Sequence, residues 1–285
     1  MKKDILLMWA LGNSLWLPYE FHNRPFKISD FRWHWDDDVA QALMLAETLL
    51  QCKWFKPQVF LEKLQWRYTH WYDSLTNHPE GCGIQTRNII EQTLEDPEFK
   101  PRLIDMSWEW LDWNGSLMRI GPAWMINWNI GSEQSAVTHN TDLCNSACSF
   151  FVYLMDAACL FKWNEKVLNT AIQDFKEIHW DDAPKSLKAL LFDWWYKEDI
   201  DRPSWFVIHT LHAVLNTFIN TSSPMEWFEY IINLWWDTDT TAAIYWYLAW
   251  AYYWIDEECK ELIDKIKDVD YIKYLSRKLI EKWSE

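Results

Sequence analysis

Towards the end of the chain, Leu234-Trp235-Trp236-Asp237-Thr238-Asp239-Thr240-Thr241-Ala242-Ala243-Ile244 sets two carboxylates two residues apart and follows them with hydroxyls where an apolar helix begins. Far upstream, Asp36-Asp37-Asp38 stands at the head of a second apolar helix. Oxygen groups packed this closely suit a hard cation such as Mg²⁺, which takes near-octahedral oxygen ligation. Brought face to face, the two helix starts would make a dinuclear metal site. The competing reading is capping, since Asp and Thr satisfy free N–H groups at helix N-termini and sit well against the positive end of the macrodipole. Spacing alone does not separate the two. Asp181-Asp182, ahead of Ala183-Pro184, reads as a cap and nothing more.

The elements that must position these clusters are helical. Apolar residues recur at 3–4 spacing over Val39–Leu50, Phe60–Tyr72, Thr86–Leu94, Cys144–Phe161, Lys166–Ile178, Ser186–Tyr196, Trp205–Phe218, Met225–Leu234, Thr241–Tyr253 and Asp268–Lys282. No strand pattern of comparable length competes. Pro and Asn/Asp/Ser clusters at 77–83, 97–102, 112–116, 129–142 and 199–204 separate the helices. No linker divides the chain and no repeat recurs, so the expectation is one all-α domain over residues 1–285.

Composition narrows the partners. Acidic residues outnumber basic ones 42 to 27, and the net charge of −15 argues against nucleic acid or an anionic membrane surface. An anionic ligand stays possible, because bound divalent ions invert the sign of an acidic pocket. Six cysteines show no C-x-x-C pair and no small-scaffold framework. Cys144 and Cys148, downstream of His139, could be zinc ligands but read better as buried free thiols on one helix face. A reducing, cytoplasmic setting is expected. The apolar run Ala242–Ile255 is too short to span a bilayer and reads as a buried helix. Lys2-Lys3 followed by Ile5–Leu11 resembles a secretory leader, but Asp4 interrupts it and no small-residue cleavage site follows closely.

Tryptophan and glycine are out of proportion. The chain has 24 Trp and 6 Gly, against a usual glycine share of about 7%. Trp235-Trp236 occupies a tight pre-helix turn, and Trp246, Trp250 and Trp254 repeat along one helix face as small residues do where helices approach closely. Returning about twenty Trp to glycine would give an ordinary glycine share of roughly 9%. This pattern reads as a codon decoded as glycine in the source but written as tryptophan. Trp35, Trp54 and Trp71 stand in aromatic or polar contexts and read as genuine. The competing reading is a real Trp-rich protein with aromatic stripes packing its core.

With that substitution in mind, four segments in order resemble the ADP-ribosylglycohydrolase family. Ala10-Leu11-Gly12-Asn13-Ser14-Leu15-Trp16-Leu17-Pro18-Tyr19-Glu20 is similar to the family's A-L-G-D-A-L-G-x-P-x-E. His34-Trp35-Asp36-Asp37-Asp38-Val39-Ala40-Gln41-Ala42-Leu43 is similar to W-[ST]-D-D-T-A-x-A-L. Asn114-Gly115-Ser116-Leu117-Met118-Arg119-Ile120-Gly121-Pro122 resembles N-G-S-L-M-R-I-A-P, and the segment from Trp235 resembles G-G-D-T-D-T-T-A-A-I. Between them, Ser135-Ala136-Val137-Thr138-His139 resembles S-A-x-T-H. The likeness runs from about residue 5 to 256, which places the first apolar segment inside the fold.

The resemblance implies an all-α fold with two Mg²⁺ or Mn²⁺ ions in a cleft. It implies Asp37, Asp38, Asp237, Asp239 and Thr240 as metal ligands, with Asp36 in place of the usual Ser/Thr. Glu20, Asp38 and Asp237 would be catalytic. Asn114, Gly115, Ser116, Met118 and His139 would bind the ligand, the loop wrapping the ADP-ribose phosphates with backbone N–H groups. The implied reaction is metal-dependent hydrolysis of the bond between ADP-ribose and a protein side chain, through an oxocarbenium-like transition state. The implied partner is an ADP-ribosylated protein or a related small molecule, and the implied state a monomer. Two departures stand out: Asn13 replaces the family's Asp, and the loop near Pro79–Arg87 lacks the Asp expected of arginine-type members, with Glu80 nearest. If Trp16, Trp235 and Trp236 are real, the alternative is an inactive ADP-ribose-binding or structural relative.

Overall fold

The computed structural model describes residues 4–20, 31, 33–70, 82–96, 112–127, 129–161, 164–192, 204–222, 226, 230–231, 234, 237–253 and 257–283, with 164–165 and 257–259 described by backbone alone. The described residues form helices α1 (Ile5–Trp16), α2 (Asp37–Gln51), α3 (Pro57–His70), α4 (Ile84–Glu95), α5 (Gly121–Trp124), α6 (Asn129–Ser135) and α7 (Asp142–Leu160). They continue with α8 (Asn164–His179), α9 (Lys185–Phe192), α10 (Val207–Asn220), α11 (Thr238–Tyr252), α12 (Glu257–Ile263) and α13 (Val269–Trp283). Short 3₁₀ turns cover Leu17–Tyr19 and Asn114–Ser116. The architecture is all-α: among the described residues, extended pairing is limited to one isolated antiparallel bridge between Trp113 and Phe206.

The most extensive helix–helix packing is between α1 and α11. Every residue of α1 is buried, and so is every residue of α11 before Tyr252. A helix apolar all round belongs in the middle of a core, so both lie in the interior. Around them α7 packs on α6, α8 and α11, while α2 packs on α3, α5 and α13. α7 is long and apolar enough to cross a membrane, yet 67% of its apolar window is buried inside the fold. It is a core helix.

Helix boundaries differ from expectation for local reasons. α10 begins at Val207, because Phe206 is extended and bridged to Trp113: Asn114 N donates to Trp205 O at 2.8 Å, and Val207 N to Asp112 O at 2.8 Å. That strap joins residues 112–114 to the start of α10, a long-range pairing invisible to periodicity. α11 begins at Thr238, three residues early, because the acidic segment is itself helical. α5 is a single turn, too short to show a helical period, and α6 lies in a short polar stretch that shows none. The expected helix over Met225–Leu234 and the tail of Phe60–Tyr72 fall largely or partly outside the described residues, as do Trp235, Trp236, Trp71 and Pro79–Gly81.

The tryptophans divide into two kinds. Trp35 donates its indole N–H to Lys267 O at 2.9 Å, and Trp124 to Asp156 Oδ1 at 2.7 Å. By contrast, Trp33 sits at φ 61°, left-handed backbone that favours glycine. Trp9 buries its indole N–H without an acceptor, at a cost expected to be about 1–3 kcal/mol. Trp246 meets Gly12 across the α1–α11 contact so closely that a Cβ at residue 12 would lie 2.0 Å from the indole Cδ1. A glycine at 246 would let the two helices close directly. Peptide mass spectrometry on protein from its native source, covering Leu234–Tyr253, is expected to show glycine masses at 235, 236, 246 and 250. Tryptophan masses there would make the indoles at these four positions genuine.

Candidate functional site

Three chain segments converge at one end of the α1–α11 pair. α1 and its 3₁₀ extension deliver Asn13 and Glu20, the start of α2 delivers Asp36–Asp38, and the start of α11 delivers Asp237–Thr240. The carboxylate oxygens of Glu20, Asp237 and Asp239 lie within 4.8 Å of one another, and those of Asp36, Asp37 and Asp38 form a second such trio. Asp38, Asp237, Asp239 and Thr240 are buried.

Capping and clustering are resolved differently at the two helix starts. Asp36 is the N-cap of α2, its carboxylate accepting from Asp38 N at 3.1 Å. Asp237 holds the N-cap position of α11 but makes no side-chain cap bond. Its Oδ2 instead accepts from Asn114 Nδ2, at a 2.6 Å separation, drawing the 114–119 loop onto the acidic cluster.

Burying this many carboxylates together has an electrostatic cost that shows in their proton affinities. Desolvation, then repulsion from Asp36, Asp237 and Asp37, pushes Glu20 up to about 8. Desolvation and Asp36 push Asp37 to about 8, against the opposing pull of Arg67 and the Gln41 hydrogen bond. Asp237 rises only to about 6, because bonds from Asn114 and Thr240 oppose its desolvation. Asp38 and Asp239 are driven well above the normal range by burial and their acidic neighbours. Asp239 also leaves Oδ1 buried without a hydrogen-bond partner. An all-oxygen donor set, mutually repelling and holding an orphaned oxygen, fits a hard divalent cation.

Sequence reasoning missed several participants. Asn13, noted only as a departure, donates from Nδ2 to Asp36 Oδ1 at 2.9 Å and to Asp38 Oδ2 at 3.3 Å, and accepts from Asp36 N at 3.1 Å. An amide here grips two carboxylates where an acid would add to the repulsion. With Asp36 standing where the family motif has Ser/Thr, the two departures offset in charge. Arg67, buried on α3, supplies the attraction felt by Asp36 and Asp37. It carried no motif and could not have been found from spacing.

Two of the loop's backbone N–H groups are already used within the fold. Asn114 N donates to Trp205 O, and Met118 N to Asn114 O at 2.9 Å, so neither N–H is free for an anion. Met118 packs into the hydrophobic core, and Ser116 is fully buried, accepting from Ser135 Oγ at 3.0 Å. Gly115 lies against the His139 ring: a Cβ there would be 2.8 Å from Cε1 and Nε2. His139 is buried, held well below the usual range by desolvation and by Arg119, and its Nδ1 pairs with Thr138 Oγ1 at 2.7 Å rather than with a helix end. Cys144 and Cys148 are free buried thiols, as expected.

A model of the ADP-ribosylglycohydrolase family matches residues 3–285. The chain belongs to the ADP-ribosylglycohydrolase family. It is 25% identical over 299 residues to the ADP-ribosylarginine hydrolase Tri1 of Pseudomonas putida (strain GB-1), covering 98% of this chain and 78% of that one. It is likewise 25% identical over 309 residues to the ADP-ribosylarginine hydrolase Tri1 of Serratia proteamaculans (strain 568), covering 97% and 78%. A solved structure described as an ADP-ribosylglycohydrolase-related protein complex shares the fold, with a TM-score of 0.75, 22% identity, and 99% and 97% of the two chains covered.

Proposed function

We propose that this ADP-ribosylglycohydrolase family member hydrolyses the glycosidic bond between ADP-ribose and a protein side chain, using two divalent cations, Mg²⁺ or Mn²⁺. The observation that carries the reading is the pair of facing carboxylate trios, one built from α2 and the other from Glu20 and α11. Asp36, Asp37, Asp38, Asp237, Asp239 and Thr240 would hold the cations. When bound, the ions supply charge for positioning the ribose hydroxyls and for activating a water.

The chain's own residues do the rest. Glu20, half-buried beside the buried Asp237 and Asp239, is the proposed base: its raised proton affinity suits a carboxylate that takes a proton from water near neutral pH. The water oxygen then bonds to the anomeric carbon, the glycosidic bond breaks, and the departing side-chain atom receives the proton that the water gave up to Glu20, leaving the carboxylate as it began. Asp38 and Asp237 flank the reacting centre from the two helix starts. Gly115 and His139 shape the wall beside Asn114, with the neutral imidazole presented to the ligand without adding charge.

The relatives named ADP-ribosylarginine hydrolases make an arginine-linked peptide the first substrate to try, beside a serine-linked one. Free ADP-ribose, measured by liquid chromatography, is expected to appear with Mg²⁺ or Mn²⁺ and to stop on adding chelator. Tight ADP-ribose binding with no release from either peptide would favour the binding-only alternative.

A further inference from the structure

Arg119 lies behind the site, away from the carboxylate trios, as a second buried cation besides Arg67. It is fully buried, and its guanidinium is divided among three residues on two segments of chain. Nε donates to Gln134 Oε1 at 2.8 Å, and Nη2 to Gln134 O at 2.9 Å and Thr138 Oγ1 at 2.8 Å. Nη1 donates to Gln41 Oε1 at 2.8 Å. Gln41, itself fully buried on α2, passes this on: its Nε2 donates to Asp37 Oδ2 at 3.1 Å, one helical turn back. On the opposite side, Gln134 Nε2 donates to Ser116 O at 2.9 Å, and Thr138 Oγ1 pairs with the His139 ring.

We infer that Arg119 is a positioning residue that ties the ligand-side wall to the cation side through the relay Arg119–Gln41–Asp37. A planar guanidinium offers five donors in a fixed fork, so its contacts to Gln41, Gln134 and Thr138 set one another's geometry. The Gln41 amide is polarised head to tail, its oxygen toward the cation and its N–H toward the carboxylate. That fixes which Asp37 oxygen is engaged by protein and which faces the cluster. Partners of this kind, one step behind the ligands, typically change metal affinity 10–100-fold when removed. The inference rests on the proposed cation site and concerns which residues aim it.

Two substitutions at Gln41 separate aiming from packing. Gln41→Met keeps the volume but breaks both contacts. Gln41→Glu keeps an acceptor for Arg119 and loses the donor to Asp37. Mn²⁺ affinity of the metal-free protein, read by calorimetry and by the Mn²⁺ electron paramagnetic resonance signal, is expected to fall about tenfold or more in both. The melting temperature of Gln41→Glu is expected to stay near wild type. Arg119→Lys, which cannot serve all three partners, is expected to weaken Mn²⁺ and ADP-ribose binding together, whereas Gln41→Met weakens Mn²⁺ alone. Wild-type Mn²⁺ affinity in both Gln41 variants would overturn the relay, even if they melt earlier. Failure of the hydrolytic reading would look different: the wild-type protein would bind Mn²⁺ and release no ADP-ribose.

Discussion

Asp239→Ala is expected to abolish metal-dependent release of ADP-ribose, by about 10³-fold or more, a barrier change of roughly 4 kcal/mol. Asp239 belongs to the Glu20–Asp237 trio, and its repulsive neighbours are Glu20, Asp36, Asp237 and Asp38. The same repulsion makes the fold tolerant of its loss. Without cation, Asp239 is a buried carboxyl with one oxygen unpartnered, so removing it relieves a cost rather than creating an unpaired charge. The small favourable effect of an acid in the first turn of α11 is lost, about 0.3–1 kcal/mol. The metal-free variant is therefore expected to melt no earlier than metal-free wild type, read by calorimetry, while Mn²⁺ binding drops. Full activity in Asp239→Ala would overturn the two-cation reading.

The second large effect is pH-dependent stabilisation by the cation. Glu20 and Asp37 are raised to about 8 and Asp237 to about 6, all above ordinary carboxylates near 4. Between those limits these groups hold more protons in the folded protein than in the unfolded chain, so their contribution to metal-free stability falls as pH rises from about 4 through 8. Below about 4 both states are protonated and the dependence from these groups ends. A divalent cation replaces the protons, so its stabilisation grows across the same window and binding releases protons. At a cation concentration of 100 times Kd the gain is about 2.7 kcal/mol, roughly 4–5 °C for a chain of this size. Scanning calorimetry at pH 5, 6, 7 and 8, with Mg²⁺ or chelator, is expected to show a widening gap between the two curves. A gap that is constant or narrows with pH would mean the cluster does not exchange protons for cation.

Both effects trace to residues that carried a readable pattern. The two acidic helix starts were legible because acids, hydroxyls and an apolar run fall within a few residues of one another. Asp36 capping its own helix and Asp237 abstaining from that role could not be separated on spacing, since both occupy the same kind of position. The partner of Asp237 is Asn114, 123 residues away, and only folding brings the two together. The four ordered motifs pointed at the right family because each is a local string of residue types. Arg119 and Gln41 sat inside those strings with nothing to mark their task, which depends on a contact spanning 78 residues.

The sequence by itself determined the helical class, the two acidic helix starts, the buried character of the eleventh helix, and the family likeness; the first helix carried no reading of its own and entered the fold only through that likeness. These follow from short-range periodicity and residue chemistry, which act within a few turns of chain. Only the tertiary structure decided that Asn13 clamps Asp36 and Asp38, that Arg67 faces the acids, and that the N–H groups of Asn114 and Met118 are already spent. Those outcomes depend on how α1 and α11 pack against each other and on which strap closes over residues 112–114. Charge repulsion and hydrogen-bond saturation are properties of distances across the fold, and distances across the fold are what a linear pattern leaves open.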